Sequence, residues 1–323
     1  MTTPTFPPPS PALPSALPSA LSSATPSALP SATESRPQSP TLAWRTPAGA
    51  AFVALPHRRH LRSAAGIADQ VLDEVGQAVE GERAESDVSR INRNAGSMVP
   101  VQPLTLRLVQ IALDAARTTR GAVDLTIGRA VAEPGSRTDD YRSVRVDRTL
   151  VRVGVPDGVR LDLTATATSW AADESARRIQ RRYGEAVLVG VGSDLASAGT
   201  PSAPWRVEVS ETAGTPGVPT SLANGGMATA SALGHRWSTP DGTLVHHVLD
   251  PRTGAPATGG CRTATVWART ALTARLAGAW ALVDPHAAIG WIAERRLSAR
   301  LVDAGGGVSH LGDWPAPSLD EAA

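Results

Sequence analysis

Apolar residues recur along this chain with two different periods, and the change from one to the other marks the elements. Ala50 to Leu55 is an apolar run of strand length, and after it Ile67, Val71, Val75 and Val79 fall on one face at helical spacing. Leu108, Ile111, Leu113 and Ala115 predict a buried helix over 104–116, with Arg120-Gly121 as its stop. Between Val144 and Leu163 valines alternate with arginines, which predicts a hairpin with one wet face and a turn at Pro156-Asp157-Gly158. Residues 170–183 are helical in pattern, with Ala172, Ala176 and Ile179 inward, and the apolar run 186–191 predicts a buried strand. Residues 201–219 are turn-rich, and His246 to Leu249 predicts a strand that ends at Asp250-Pro251-Arg252-Thr253-Gly254. Helices over 272–283 and 286–295 and a strand over 300–302 follow. Strands and helices mixed without regular alternation predict an α+β fold.

Composition adds boundaries to that picture. The chain has 323 residues, and residues 1 to about 40, which repeat Leu-Pro-Ser-Ala, hold eleven of its 27 prolines. Proline removes backbone donors, and serine and alanine bury too little to offset the entropy of ordering. The expectation is a disordered tail over 1–43, one domain over 44–313 and a short tail over 314–323. A net charge of +1 gives no long-range attraction to nucleic acid. Every basic side chain is arginine, so Schiff-base chemistry and a lysine phosphate clamp are excluded. Cys261 is the single cysteine and has no intramolecular partner for a disulfide. With no apolar run of transmembrane length and no basic segment at the start, a cytoplasmic protein is the expectation.

Four segments carry candidate chemistry. Asp250 to Gly254, with His246 and His247 before it, offers an imidazole, a carboxylate and a guanidinium, enough to grip a phosphate or a ribose. The same residues also fit a turn in which Asp250 caps its own backbone and Arg252 is solvated. Leu161 to Asp173 leads into a helix whose first turn holds Thr164, Thr166 and Thr168, which is either an anion site or an ordinary cap. Gly190-Val191-Gly192-Ser193-Asp194 is a glycine-containing turn after the buried strand. In Gly121 to Gly128, Asp124 and Thr126 alternate with apolar neighbours. No cysteine and histidine spacing fits zinc, and no Gly-x-Ser-x-Gly elbow is present.

The order of these segments is more specific than any one of them. Ser86-Asp87-Val88-Ser89-Arg90-Ile91-Asn92, Gly121 to Gly128, Leu161-Asp162-Leu163 with Ala171-Ala172-Asp173, Val189 to Asp194, Ala228-Thr229 and His247 to Gly254 follow one another. The series resembles the ApbE family of flavin transferases over roughly 44–313. The resemblance implies a single T-fold-related α+β domain with mixed sheets and flanking helices. It implies an enzyme that splits FAD, attaches FMN through a phosphoester to a threonine of a target protein, releases AMP and uses Mg²⁺. Carried over residue by residue, Asp124, Asp162 and His247 fall on flavin-nucleotide contacts and Thr229 lies beside the nucleotide. Asp250 and Arg252, in the Asp-Pro-Arg-Thr-Gly turn, are expected cofactor-binding residues. The Ala165 carbonyl falls where the backbone meets the metal.

The departures are equally specific. Thr168-Ser169-Trp170 stands where the family carries Lys or Glu before a Gly-Tyr, so Thr168 replaces a charged side chain. The family's metal-ligating Asp and Thr of the C-terminal helix correspond to Arg275 and Ala279, neither of which ligates Mg²⁺. A guanidinium there could pair with pyrophosphate oxygens in place of the ion. Two readings follow: a transferase acting on FAD and a threonine-bearing target, or a non-catalytic flavin-nucleotide-binding or scaffold protein that keeps the fold.

Overall fold

Antiparallel pairing organises the chain, which is described here by a computed structural model covering residues 39–314 apart from 48, 134–135, 137, 139, 213–214, 235 and 239–243. Most of the proline-rich tail lies outside the described residues. The first elements are β1 (Thr41–Thr46) and β2 (Gly49–Ala54). There follow α1 (Leu61–Val79), α2 (Asp87–Arg93), β3 (Met98–Pro100), α3 (Pro103–Thr118) and α4 (Gly128–Ala132). Next come β4 (Arg145–Asp147), β5 (Arg152–Gly154), α5 (Thr164–Tyr183), β6 (Val187–Val191) and β7 (Asp194–Ala198). Then β8 (Trp205–Val209), β9 (Val218–Leu222), β10 (Gly225–Ser231), β11 (Arg236–Ser238), β12 (Leu244–His246) and β13 (Cys261–Ala268). The last elements are α6 (Ala271–Val283), α7 (Pro285–Glu294), β14 (Ser298–Asp303) and β15 (Val308–Leu311).

Eight strands form the main sheet in the order β1-β2-β6-β7-β10-β13-β14-β15. Its neighbouring strands pair antiparallel throughout, so the α+β expectation holds. Successive side chains point to opposite faces. Val187, Val189 and Val53 therefore meet Ala64, Ala68, Ala172, Ala176 and Ile179 of α1 and α5 on one face. Leu188 and Met227 meet Trp205, Val209 and Leu222 of the β8–β9 hairpin on the other. Ala228, Ala264 and Val266 receive Ala277 and Ala281 of α6 and Ile292 of α7. A separate cluster built from α1, α2, α3 and the start of α5 holds Val71, Ile91, Leu108 and Leu163.

Three expectations change. The valine–arginine hairpin is β4–β5, and it turns over 148–151 with Val151 at φ +50, not at Pro156 to Gly158. The segment after it makes only an isolated parallel bridge, Ile127 to Arg160, because Asn92 takes the backbone N–H and C=O of Leu161 at 2.7 and 3.0 Å. The turn-rich region 201–219 contains β8 and the start of β9, paired in register from Trp205–Leu222 to Val209–Val218. Finally, β12 ends at His246, and Leu249 makes only an isolated bridge to Pro256.

The packing of α6 against β10 sets the geometry of the site. Gly226 lies so close to the start of α6 that a Cβ there would overlap Ala271 N and the Thr270 backbone. Asp173 of α5 completes this joint from the other side. Its two carboxylate oxygens accept from Ala271 N at 2.9 Å and Leu272 N at 3.1 Å, which satisfies two of the unpaired N–H groups of the first α6 turn. Thr270 is the N-cap residue and accepts from Thr273 N.

Candidate functional site

The centre of the site is the side chain of Arg275, one turn into α6. Its guanidinium donates to the Thr229 carbonyl of β10 at 2.9 Å and to Ser193 Oγ at 2.7 Å. It also donates to Asp194 Oδ1, with which it forms an ion pair; the Asp194 side chain is 2% exposed and that of Arg275 15%. The second Asp194 oxygen accepts from Ser169 Oγ at 2.6 Å, and the same hydroxyl lies 3.2 Å from the Ala165 carbonyl. One continuous set of polar contacts therefore joins α6, the β6–β7 turn, β10 and the first two turns of α5. Ala279, one turn further along α6, offers only a methyl group on that side of the helix.

The other candidate residues gather through the loops. Asp162 Oδ1 caps α5 by accepting from Thr164 N at 2.8 Å, and Asp162 N donates to the Leu125 carbonyl at 2.8 Å. Leu125 follows Asp124, whose Oδ1 accepts from Thr126 N and Thr126 Oγ1, both at 2.8 Å, while its Oδ2 accepts from Tyr141 N at 3.2 Å. Burial pushes the Asp124 carboxyl above its ordinary value, against the pull of these three bonds. Asp124 is thus a buried organiser of its turn. Thr168 is half-buried on α5 and the Ala165 backbone is at an exposed position.

The Asp250 turn is self-contained. Asp250 Oδ1 accepts from Arg252 N at 2.9 Å, and the Arg252 guanidinium pairs with the carboxylate at 2.8 Å while its side chain remains 61% exposed. Burial alone would raise the Asp250 carboxyl, but the Arg252 hydrogen bonds and charge outweigh it and hold the carboxyl below its ordinary value. Arg252 also lies 4.0 Å from Asp284, the N-cap residue of α7. Gly254, at φ +69, passes so close to the Ser136 carbonyl that any Cβ would overlap it, and Thr138 Oγ1 donates to the Pro251 carbonyl. These contacts bring the segment after Asp124 against the Asp250 turn.

Two candidates are placed differently from a direct ligand contact. The Thr229 hydroxyl pairs with Thr265 Oγ1 across β10 and β13 at 2.9 Å, so it is the Thr229 carbonyl that reaches Arg275. His247 is exposed beside Gly234, whereas its neighbour His246 turns inward with Nε2 3.1 Å from the Ala257 carbonyl. Burial holds the His246 imidazole below its ordinary value. Ser169, Ser193 and Asp194 are the site residues that sequence reasoning did not single out as ligands. The available signal was Asp194 closing a glycine turn directly after a buried strand, four residues from Gly190.

A divalent metal at the positions implied by the resemblance does not fit these residues. Magnesium takes oxygen ligands in near-octahedral geometry. Here both oxygens of Asp194 are bound, and a permanent guanidinium stands against them. Among the described residues no group of three or more His, Cys, Asp or Glu side chains is placed to hold a metal ion.

An antiparallel sheet with helices on one face and its polar loops tied to the start of α5 defines the class as an α+β domain with one loop-lined polar site. The sequence pattern of the ApbE family matches residues 50–302, and the chain belongs to that family. A relative from Klebsiella pneumoniae, named FAD:protein FMN transferase, is 28% identical over 225 residues, 59% of this chain and 62% of the relative. One of the same name from Vibrio cholerae is 26% identical over 230 residues, 64% of this chain and 69% of the relative. The chain thus spans less than two thirds of the length of the Klebsiella protein. The ApbE protein of Thermotoga maritima shares the fold with a TM-score of 0.76 and 22% identity, covering 85% of this chain and 97% of that one. The flavinyl transferase ApbE of Pseudomonas stutzeri does so with a TM-score of 0.72 and 20% identity, covering 85% and 95%.

Among the described residues, no helix is long and apolar enough to cross a membrane.

Proposed function

We propose that this chain binds a flavin dinucleotide of the FAD type in the loop-lined site and does not carry out metal-assisted transfer of FMN to a threonine. The observation that carries this reading is the pairing of Arg275 with Asp194 at the helix position where the family resemblance places a metal ligand. Attack of a hydroxyl on the FMN-side phosphorus loads negative charge onto the pyrophosphate, and catalysis requires groups that interact more strongly with that charge than with the ground state. A guanidinium fixed on Asp194, Ser193 and Thr229 carries one charge, already paired with a carboxylate, and so stabilises the charge that develops less than a doubly charged ion would. It supports binding and adds little to rate. Losing the metal's charge neutralisation costs several kcal/mol of transition-state stabilisation, or several powers of ten in rate.

The remaining residues support binding. Asp162 fixes the start of α5, Asp124 fixes the loop that touches it, and the Asp250–Arg252 pair presents an exposed guanidinium on a rigid turn. That intact turn also favours the second reading, a transferase that still modifies a threonine-bearing target. Calorimetric titration with FAD, followed by measurement of AMP release in the presence of a threonine-bearing acceptor, decides between them. Saturable FAD binding with no AMP above the spontaneous rate is the expected result. AMP release that scales with protein concentration establishes the transferase, and absence of FAD binding overturns both readings.

A further inference from the structure

We propose that the site is metal-free by construction: the guanidinium of Arg275 stands in the position and charge role of a divalent cation, so dinucleotide binding is indifferent to Mg²⁺. The inference rests on the flavin-dinucleotide reading for its ligand, and on geometry alone for the metal.

Three observations meet here. The first is place. Arg275 and Ala279 lie one helical turn apart on α6, and the Arg275 side chain enters a polar set that also contains the Ala165 carbonyl, through Ser169 and Asp194. The guanidinium satisfies the Thr229 carbonyl and Asp194 Oδ1, and the single Ser169 hydroxyl proton goes to Asp194 Oδ2, the shorter of its two contacts, so the Asp194 and Thr229 oxygens on this side are already engaged.

The second is charge. Asp194 is buried, and a buried carboxylate without a positive partner is strongly disfavoured. Arg275 supplies that partner permanently. A doubly charged ion approaching Asp194 would have to displace a covalently tethered cation from a geometry with three hydrogen bonds, and would be repelled by it as it came.

The third is spare capacity. A guanidinium has five N–H donors. Among the described residues, three hydrogen bonds leave Arg275, so two N–H groups remain for an acceptor, and the side chain is only 15% exposed. These two donors are the Nε–H and one Nη1 N–H, on opposite edges of the guanidinium plane, and each can donate a single hydrogen bond to a phosphate oxygen. The chemistry selected is an anionic phosphate diester or pyrophosphate that arrives without its own metal.

The test uses the intact protein, with FAD and Mg²⁺ as the probes. FAD is titrated in a chelator and again in millimolar Mg²⁺, and thermal unfolding is followed with Mg²⁺ alone. The expected result is an FAD affinity that changes less than twofold between the two conditions and a melting temperature that Mg²⁺ does not move. Arg275→Ala is expected to weaken FAD binding tenfold or more in chelator. The double variant R275D/A279T, which puts oxygen donors at both positions, is expected to gain a response: its melting temperature rises with Mg²⁺ and its FAD affinity becomes Mg²⁺-dependent.

A tenfold or greater gain in wild-type affinity on adding Mg²⁺, or a wild-type melting temperature that rises with Mg²⁺, overturns the inference. So does an Arg275→Ala protein that folds and binds FAD as the wild type does. Should either variant fail to fold, the wild-type measurements decide alone. Absence of FAD binding under every condition overturns the flavin reading and the ligand half of the inference, while unfolding with Mg²⁺ alone still settles the metal half.

Discussion

Ser169 Oγ lies 2.6 Å from Asp194 Oδ2, so the carboxylate that receives Arg275 on one oxygen is held from α5 on the other. The charge pair is thereby fixed from two helices and one strand turn. Removing the hydroxyl leaves a buried acceptor with one partner fewer.

Ser169→Ala is expected to destabilise the fold by about 1.5–3 kcal/mol, the range for a hydrogen bond to a charged group. Combined with Arg275→Ala it should cost less than the sum of the single changes, because both act on Asp194. Urea unfolding of the two single variants and the double variant measures this, and strict additivity would show that the two contacts are independent.

Asp173 gives a pH dependence with a defined sign. Burial pushes its carboxyl up to about 6 from an ordinary 3.8, with the Ala271 and Leu272 N–H groups and the Arg177 charge pulling the other way. The native state therefore holds the proton more tightly than the unfolded chain. This contribution is fully present below about pH 4 and lost as pH rises through about 6. Relative to Asp173→Asn, the wild type should lose up to roughly 3 kcal/mol between pH 4 and pH 7. Denaturant unfolding across that range checks it; a wild type that gains on the variant as pH rises contradicts it.

The joint between β10 and α6 should be intolerant of a single methyl. Gly226→Ala forces the start of α6 off the sheet, because the new Cβ has no room beside Ala271 N. Overpacking of this kind costs roughly 1–3 kcal/mol. Since Arg275 rides on the same helix, FAD affinity should fall along with the melting temperature. A variant with wild-type values of both would show that the close approach has slack.

Arg252 separates binding from stability. Its ion pair with Asp250 is exposed on the arginine side, and pairs of that kind contribute at most about 1 kcal/mol. Arg252→Ala should unfold almost as the wild type does and bind FAD more weakly. Equal FAD affinity in the two proteins removes the Asp250 turn from the binding surface.

The helices were readable because each shows an apolar face of period 3.6: Val71 and Val75 in α1, Leu108 in α3, Ala172, Ala176 and Ile179 in α5. The strands β2 and β6 were readable as short apolar runs. The central strands β10 and β13 were not. Gly225-Gly226-Met227-Ala228-Thr229-Ala230-Ser231 has no β-branched run and no alternation, because helix packing on one side selects small residues that let α6 approach. The hairpin β8–β9 was hidden by the prolines and glycines around it. For the site, sequence order located the loops and marked Arg275 as a substitution. It gave no sign of Ser169 or of the second role of Asp194, since their meeting depends on α5 packing over the β6–β7 turn, a contact with no local signature.

A tethered side chain and a dissolved ion differ in occupancy. The cationic position of this site is filled once in every folded copy, in fixed stoichiometry with Asp194, and its filling follows from translation and folding alone. An exchangeable ion is present in proportion to its free concentration. Arg275 thus makes the electrostatics around Asp194 a heritable property of the chain, set by one codon and unresponsive to the ionic composition around it.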